Sequence, residues 1–150
     1  MGEGYIVRRG GIGSGGGLPE FTYSDKEPGA YEIFKEDAKN WRIEFYRSGT
    51  LTFTKLGSAA NGIDAFILGG GGAGVDIDST GAGGGGYYTV LSSKIVAKDH
   101  AYQINIGAGG NTVGSSGGDT IFDSHNAKGG GAPKPSYAKC LVNQNVGSNV

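Results

Sequence analysis

The chain has 150 residues, a formal net charge of −1, one cysteine, and 32 glycines against an average usage of about 7%. The length suits one domain with a tail or an arm. The near-neutral charge argues against nucleic acid or an anionic membrane surface as partner, and no apolar run reaches the roughly 18 residues of a membrane span, so no membrane insertion is expected.

Residues 1–17 form a Gly/Ser-rich arm in which Tyr5, Ile6 and Val7 can pair as an edge strand. Arg8 and Arg9 have no apolar stretch behind them, so the segment is not a secretory leader and synthesis in a cytosol is expected. Residues 18–40 have mixed charge, Pro19 and Pro28, and little periodicity; 31–39 allow a helical turn or two. Residues 1–40 are therefore expected to be an extended N-terminal anchor without a core of its own.

Alternation begins at Trp41. Trp41, Ile43 and Phe45 interleave with Arg42, Glu44 and Tyr46, and Leu51 and Phe53 with Thr50, Thr52 and Thr54. With Arg47, Ser48 and Gly49 as a short turn, this spells a β-hairpin. Residues 63–68 form an apolar run expected to be a fully buried strand. Further strands are expected at 87–91, with 94–97 as an additional candidate, at 102–106 and at 120–122. The expected fold is all-β: a small antiparallel β-sandwich, jelly-roll-like, over residues 41–131, with a C-terminal tail at 132–150.

The glycines fall between these strands, in runs at 69–72, 83–86, 109–110, 117–118 and 129–131. Collagen is excluded, because it needs glycine at every third position and abundant proline. Two readings stay open. The runs are mobile loops, or they are extended polyglycine-II-like segments packed side by side, each meeting its neighbours' backbone groups. A dinucleotide cradle needs a helix after the glycines; here Val75 and Asp76, or Tyr87 and Tyr88, come instead. Residues 71–76 match the first positions of a calcium-binding Gly-Gly-x-Gly-x-Asp repeat. Asp78 then stands where a large apolar residue belongs, so Asp76 and Asp78 are a cation pair or, more simply, a solvated loop pair. Asp123, Ser124 and His125 hold triad residue types, but neighbours in a strand point to opposite faces. His100, His125 and Cys140 lack metal-ligand spacing, so no metal, no cofactor and no enzymatic activity are expected. Tyr87 and Tyr88 abut a glycine run, with one expected in the core and one exposed as a contact residue or a packing residue.

As a whole, the spelling at 41–53, 63–74, 83–88 and 102–110 (Tyr-Gln-Ile-Asn-Ile-Gly-Ala-Gly-Gly) resembles the glycine-rich domain of tail and fibre proteins of tailed bacteriophages and prophages. The resemblance covers about residues 41–131. It implies a virion structural protein, made in the host cytoplasm and exposed on the particle at a tail tip or fibre. It also implies a homotrimer anchored to other virion subunits through the N-terminal arm, with loops that meet a host cell-surface glycan. The candidate binding residues are Gly69, Gly70, Gly71, Gly72, Asp76, Asp78, Gly84, Gly85, Tyr87, Tyr88, Gly109, Gly110 and Asn111. The alternatives are a non-adhesive virion subunit (head fibre, capsid decoration or tail assembly protein) and a bacterial carbohydrate-binding surface module.

Overall fold

The computed structural model describes residues 3–8, 17–74 and 82–132. Its strands are β1 (Glu3–Arg8), β2 (Glu20–Tyr23), β3 (Tyr31–Lys35), β4 (Trp41–Phe45), β5 (Gly49–Lys55), β6 (Ile63–Leu68), β7 (Tyr88–Lys94), β8 (Ala101–Asn105), β9 (Thr120–Phe122) and β10 (His125–Ala127). They form two five-stranded sheets, ordered β3-β4-β1-β6-β7 and β10-β9-β8-β5-β2, with every pairing antiparallel. The fold is thus all-β, as the alternation predicts, and is a small β-sandwich.

Period-two burial makes the core. Trp41, Ile43 and Phe45 point inward from β4, Leu51 and Phe53 from β5, and Tyr102 and Ile104 from β8. Ile63, Ala65, Ile67 and Phe122 complete it. Each large side chain buried here contributes about 1.5–3 kcal/mol.

The apolar run of β6 is not buried on both faces. Ile63, Ala65 and Ile67 are buried, while Asp64, Phe66 and Leu68 lie half-buried on the outer face. β7 ends at Lys94, so 95–97 is not strand, and β10 forms a hairpin with β9 around Asp123, whose φ is +57°.

Residues 41–54 do not form a hairpin. β4 pairs with β3 and β1, whereas β5 pairs with β2 and β8, so the link between them crosses from one sheet to the other. Local contacts hold the crossing. Tyr23 OH donates to the Arg47 carbonyl at 2.7 Å, and burial raises the Tyr23 hydroxyl pKa well above the ordinary range. The Arg47 guanidinium grips Asp25 through both carboxylate oxygens at 2.8 and 3.0 Å. Gly49 is needed because a Cβ there would sit 2.6 Å from the Tyr23 ring. Alternation gives the buried faces of two successive strands, but not whether they share a sheet.

The boundary expected at residue 40 does not divide the described chain. β1 lies in the middle of its sheet between β4 and β6, not at an edge; β2 and β3 also pair into the sheets, and Tyr23 and Ala30 are buried in the core. Residues 31–35 are strand, not helix, because Tyr31, Ile33 and Lys35 pair opposite Phe45, Ile43 and Trp41.

The two ends of the sandwich differ. At one end Trp41 Nε1 donates to Ser58 Oγ at 3.0 Å, and Ser58 Oγ donates to the Ala38 carbonyl at 2.6 Å. The other end, where Leu68 meets Tyr88 and Gly49 meets Ile104, launches the glycine runs.

Candidate functional site

The glycine segments 69–74, 83–87, 107–110, 115–118 and 129–132 leave the strands and pack into one bundle of extended chains. Gly69 N–H donates to the Tyr87 carbonyl at 2.9 Å and Gly72 N–H to the Gly84 carbonyl at 2.8 Å. Gly70 N–H donates to the Gly118 carbonyl at 2.9 Å and Ala73 N–H to the Ser115 carbonyl at 2.8 Å. Tyr87 and Gly84 donate in turn to the Lys128 and Gly131 carbonyls, both at 2.9 Å. Each pair of rungs is spaced by three residues on both partners. A β-ladder repeats every second residue; a chain with about three residues per turn repeats every third. The central run therefore faces different neighbours at 69/72, at 70/73 and at 71, where its carbonyl accepts from Gly110 N–H at 2.8 Å. These are polyglycine-II-like segments, so the ordered alternative is the one observed.

Glycine is required here by space, not by backbone torsion. The positive-φ glycines described are Gly29, Gly57, Gly62 and Gly114, and none of the packed positions is among them. A Cβ on Gly69 or Gly72 would overlap the Lys128 or Gly131 carbonyl, and one on Gly83 or Gly86 would overlap the Gly72 or Gly69 carbonyl. Gly70, Gly107, Gly117, Gly129 and Gly130 are closed in the same way, and at Gly110 a Cβ would lie 2.5 Å from Ala73 N. In contrast, nothing lies within 4 Å of a Cβ on Gly85 or Gly131. Buried backbone groups must be paired, and chains stripped of side chains approach closely enough to pair one another.

Side chains lock the bundle to the sandwich. Buried Thr120 accepts from Gly107 N–H through Oγ1 at 2.9 Å. Asp119 accepts from Gly129 N–H at 2.9 Å and from Asn126 Nδ2 at 3.0 Å. The Gly129 amide, with Asn126 second, holds the Asp119 carboxyl below its usual pKa.

The candidate residues divide accordingly. Gly69 and Gly70 are buried; Gly71, Gly72, Gly109 and Gly110 are half-buried within the bundle; Gly84, Gly85 and Asn111 are exposed. Tyr87 and Tyr88 are both exposed, at 66% and 67%, so neither is in the core. The strand starts only at Tyr88, and Tyr87 still belongs to the glycine segment, so period two does not apply to the pair. Tyr88 instead stacks on Phe66, with ring centroids 5.5 Å apart and planes at 15°, beside exposed Val90. Asp76 and Asp78 lie outside the described residues. Among the described residues no cluster of His, Cys, Asp or Glu could hold a metal ion.

Gly83, Gly86, Gly107, Gly117, Gly129 and Gly130 are contact residues as well, along with Thr120 and Asp119, and none of them is among the candidates expected from the sequence. A signal was present: glycine pairs at 69/72, 83/86 and 107/110 share the spacing of a chain with about three residues per turn.

Fold and site define an antiparallel β-sandwich carrying a glycine bundle at one end. The sequence model of the family described as "Glycine-rich domain" matches residues 47–149, and the chain belongs to that family. No curated protein and no solved structure matches the chain.

Proposed function

We propose that the chain is a non-enzymatic structural subunit of a tailed-phage particle, in a tail fibre or tail tip, that helps hold the host cell surface. The bundle is the observation that supports this reading. Backbone hydrogen bonds fix extended segments at one end of the sandwich and present the turns that join them. The turn carrying exposed Asn111 and Val113 is held there by Gly114 N–H on the Gly74 carbonyl at 3.1 Å. Flat aromatic faces at Tyr87 and Tyr88, beside the exposed backbone of Gly84 and Gly85, suit a sugar ring with its hydroxyls.

Purified protein should bind host cells and reduce phage adsorption, and a Tyr87→Ala/Tyr88→Ala variant should lose most of both effects while staying folded. Protein that neither binds cells nor competes with infection would sink the adhesive role. The second reading, a non-adhesive virion subunit, is favoured by one observation: the inner glycines spend their donors on one another and keep few for a receptor. Labelling intact particles with an antibody against the chain would then still succeed.

A further inference from the structure

We infer that the free edge of β3 is a self-pairing surface, on which β3 of a second copy adds antiparallel about a twofold axis. An unpaired, regular edge strand is a template for another strand, and proteins usually blunt or cover such edges. This sandwich covers or blunts the other edges. Tyr87 N–H and Thr89 Oγ1 on the β7 side bond to the Lys128 and Asn126 carbonyls at 2.9 and 2.8 Å, tying β7 to the β10 region, and β2 is interrupted by a bulge at Glu20 and Phe21. β3 pairs with β4 alone, and no described residue pairs with its other side.

The ladder settles which groups are free. Tyr46 N–H donates to the Ala30 carbonyl and Glu36 N–H to the Asn40 carbonyl, both at 2.9 Å, so the even-numbered residues between them face β4. The N–H and C=O groups of Tyr31, Ile33 and Lys35 therefore point to the open side. Ile33, half exposed at 50%, stands over a groove of about 300 Å³ lined by Leu18, Phe21, Trp41 and Ile43.

Charge selects the occupant and its register. Opposed residues must share a sheet face. Centring two copies of β3 on Ile33 sets Ile33 against Ile33, Lys35 against Tyr31 and Glu32 against Phe34, with no like charges opposed. Shifting by two residues sets Glu32 against Glu32 in one direction or Glu32 against Glu36 in the other, and both repel. Among registers that overlap three or more residues of the two strands, only the one centred on Ile33 avoids opposed like charges. The pairing is twofold, in place of the threefold assembly that the family resemblance implies, and it is independent of host binding.

Sedimentation equilibrium on the whole chain should show a monomer–dimer equilibrium. Ile33→Lys should weaken it about a hundredfold, and mixing Ile33→Lys with Ile33→Glu chains should restore a heterodimer. In a Cys140→Ser background, Ile33→Cys should form a cross-chain disulfide on mild oxidation and Glu32→Cys should not, which also covers a failure of Ile33→Lys to fold. A chain that stays monomeric at every concentration, a trimer indifferent to Ile33→Lys, or equal cross-linking at positions 32 and 33 would each overturn the inference.

Discussion

The sandwich and the glycine bundle solve one problem in opposite ways. In the sandwich, backbone groups are paired within each sheet, and large side chains such as Phe45, Phe53 and Ile43 fill the space between the sheets. In the bundle, most residues where the segments meet are glycines, and the backbone fills much of the space as well as supplying the hydrogen bonds. Hydrophobic burial is non-directional and tolerates repacking. A lattice of carbonyl and amide contacts has neither latitude. Glycine also loses the most conformational freedom on folding, so the bundle depends on the sandwich that brings its segments together.

The largest effect should come from the sandwich. Phe53→Ala removes a fully buried ring and should cost about 3–5 kcal/mol, lowering sandwich and bundle together in a single denaturant transition. If the bundle signals survived that loss, the bundle would not depend on the sandwich. Gly117→Ala should cost about 3 kcal/mol, because its Cβ overlaps the Gly70 carbonyl and neither chain has a side chain that can yield. Its signature is regional: amide exchange at Gly70, Gly118 and Gly130 should accelerate far more than at Ile43 or Leu51.

pH separates the regions more gently. The Asp119 carboxyl is held below its unfolded pKa first by the Gly129 amide of the bundle and then by Asn126 of β10, whereas Asp25 and Asp37 are held low by amides and side chains of the sandwich alone. A lowered folded pKa gives stability that is present above the unfolded carboxylate value of about 3.9 and is lost as pH falls through the folded value. Acid unfolding curves should therefore steepen below about pH 4. Asp119→Asn should remove the bundle's part of that slope and leave the part that belongs to Asp25 and Asp37.

Strand identity was largely legible in the sequence, because burial on one face writes a period of two; Trp41, Ile43 and Phe45, or Tyr102 and Ile104, are unmistakable. Sheet membership was not. The link at Arg47, Ser48 and Gly49 has the composition of a hairpin turn, and its crossing is fixed by contact with Tyr23, Asp25 and Ala30, far away in the chain. The same distance effect hid β2 and β3, whose partners and not their composition place them in the sheets. At the candidate site the glycine runs were visible, but their inward and outward faces were not, because a row of identical residues carries no polarity. Only the three-residue spacing marks the faces, and it becomes informative once the neighbouring segments are known.

Two neighbouring glycines distinguish a packed bundle from a loop. Gly85 and Gly86 are adjacent in one run, yet a Cβ on Gly85 meets nothing within 4 Å while one on Gly86 overlaps the Gly69 carbonyl. Measured by chemical denaturation, Gly85→Ala should be neutral or more stable by up to about 1 kcal/mol, since alanine restricts the unfolded chain. Gly86→Ala should be less stable by about 3 kcal/mol. Equal effects at the two positions would contradict the packed bundle, for the run would then be a loop whose glycines are interchangeable.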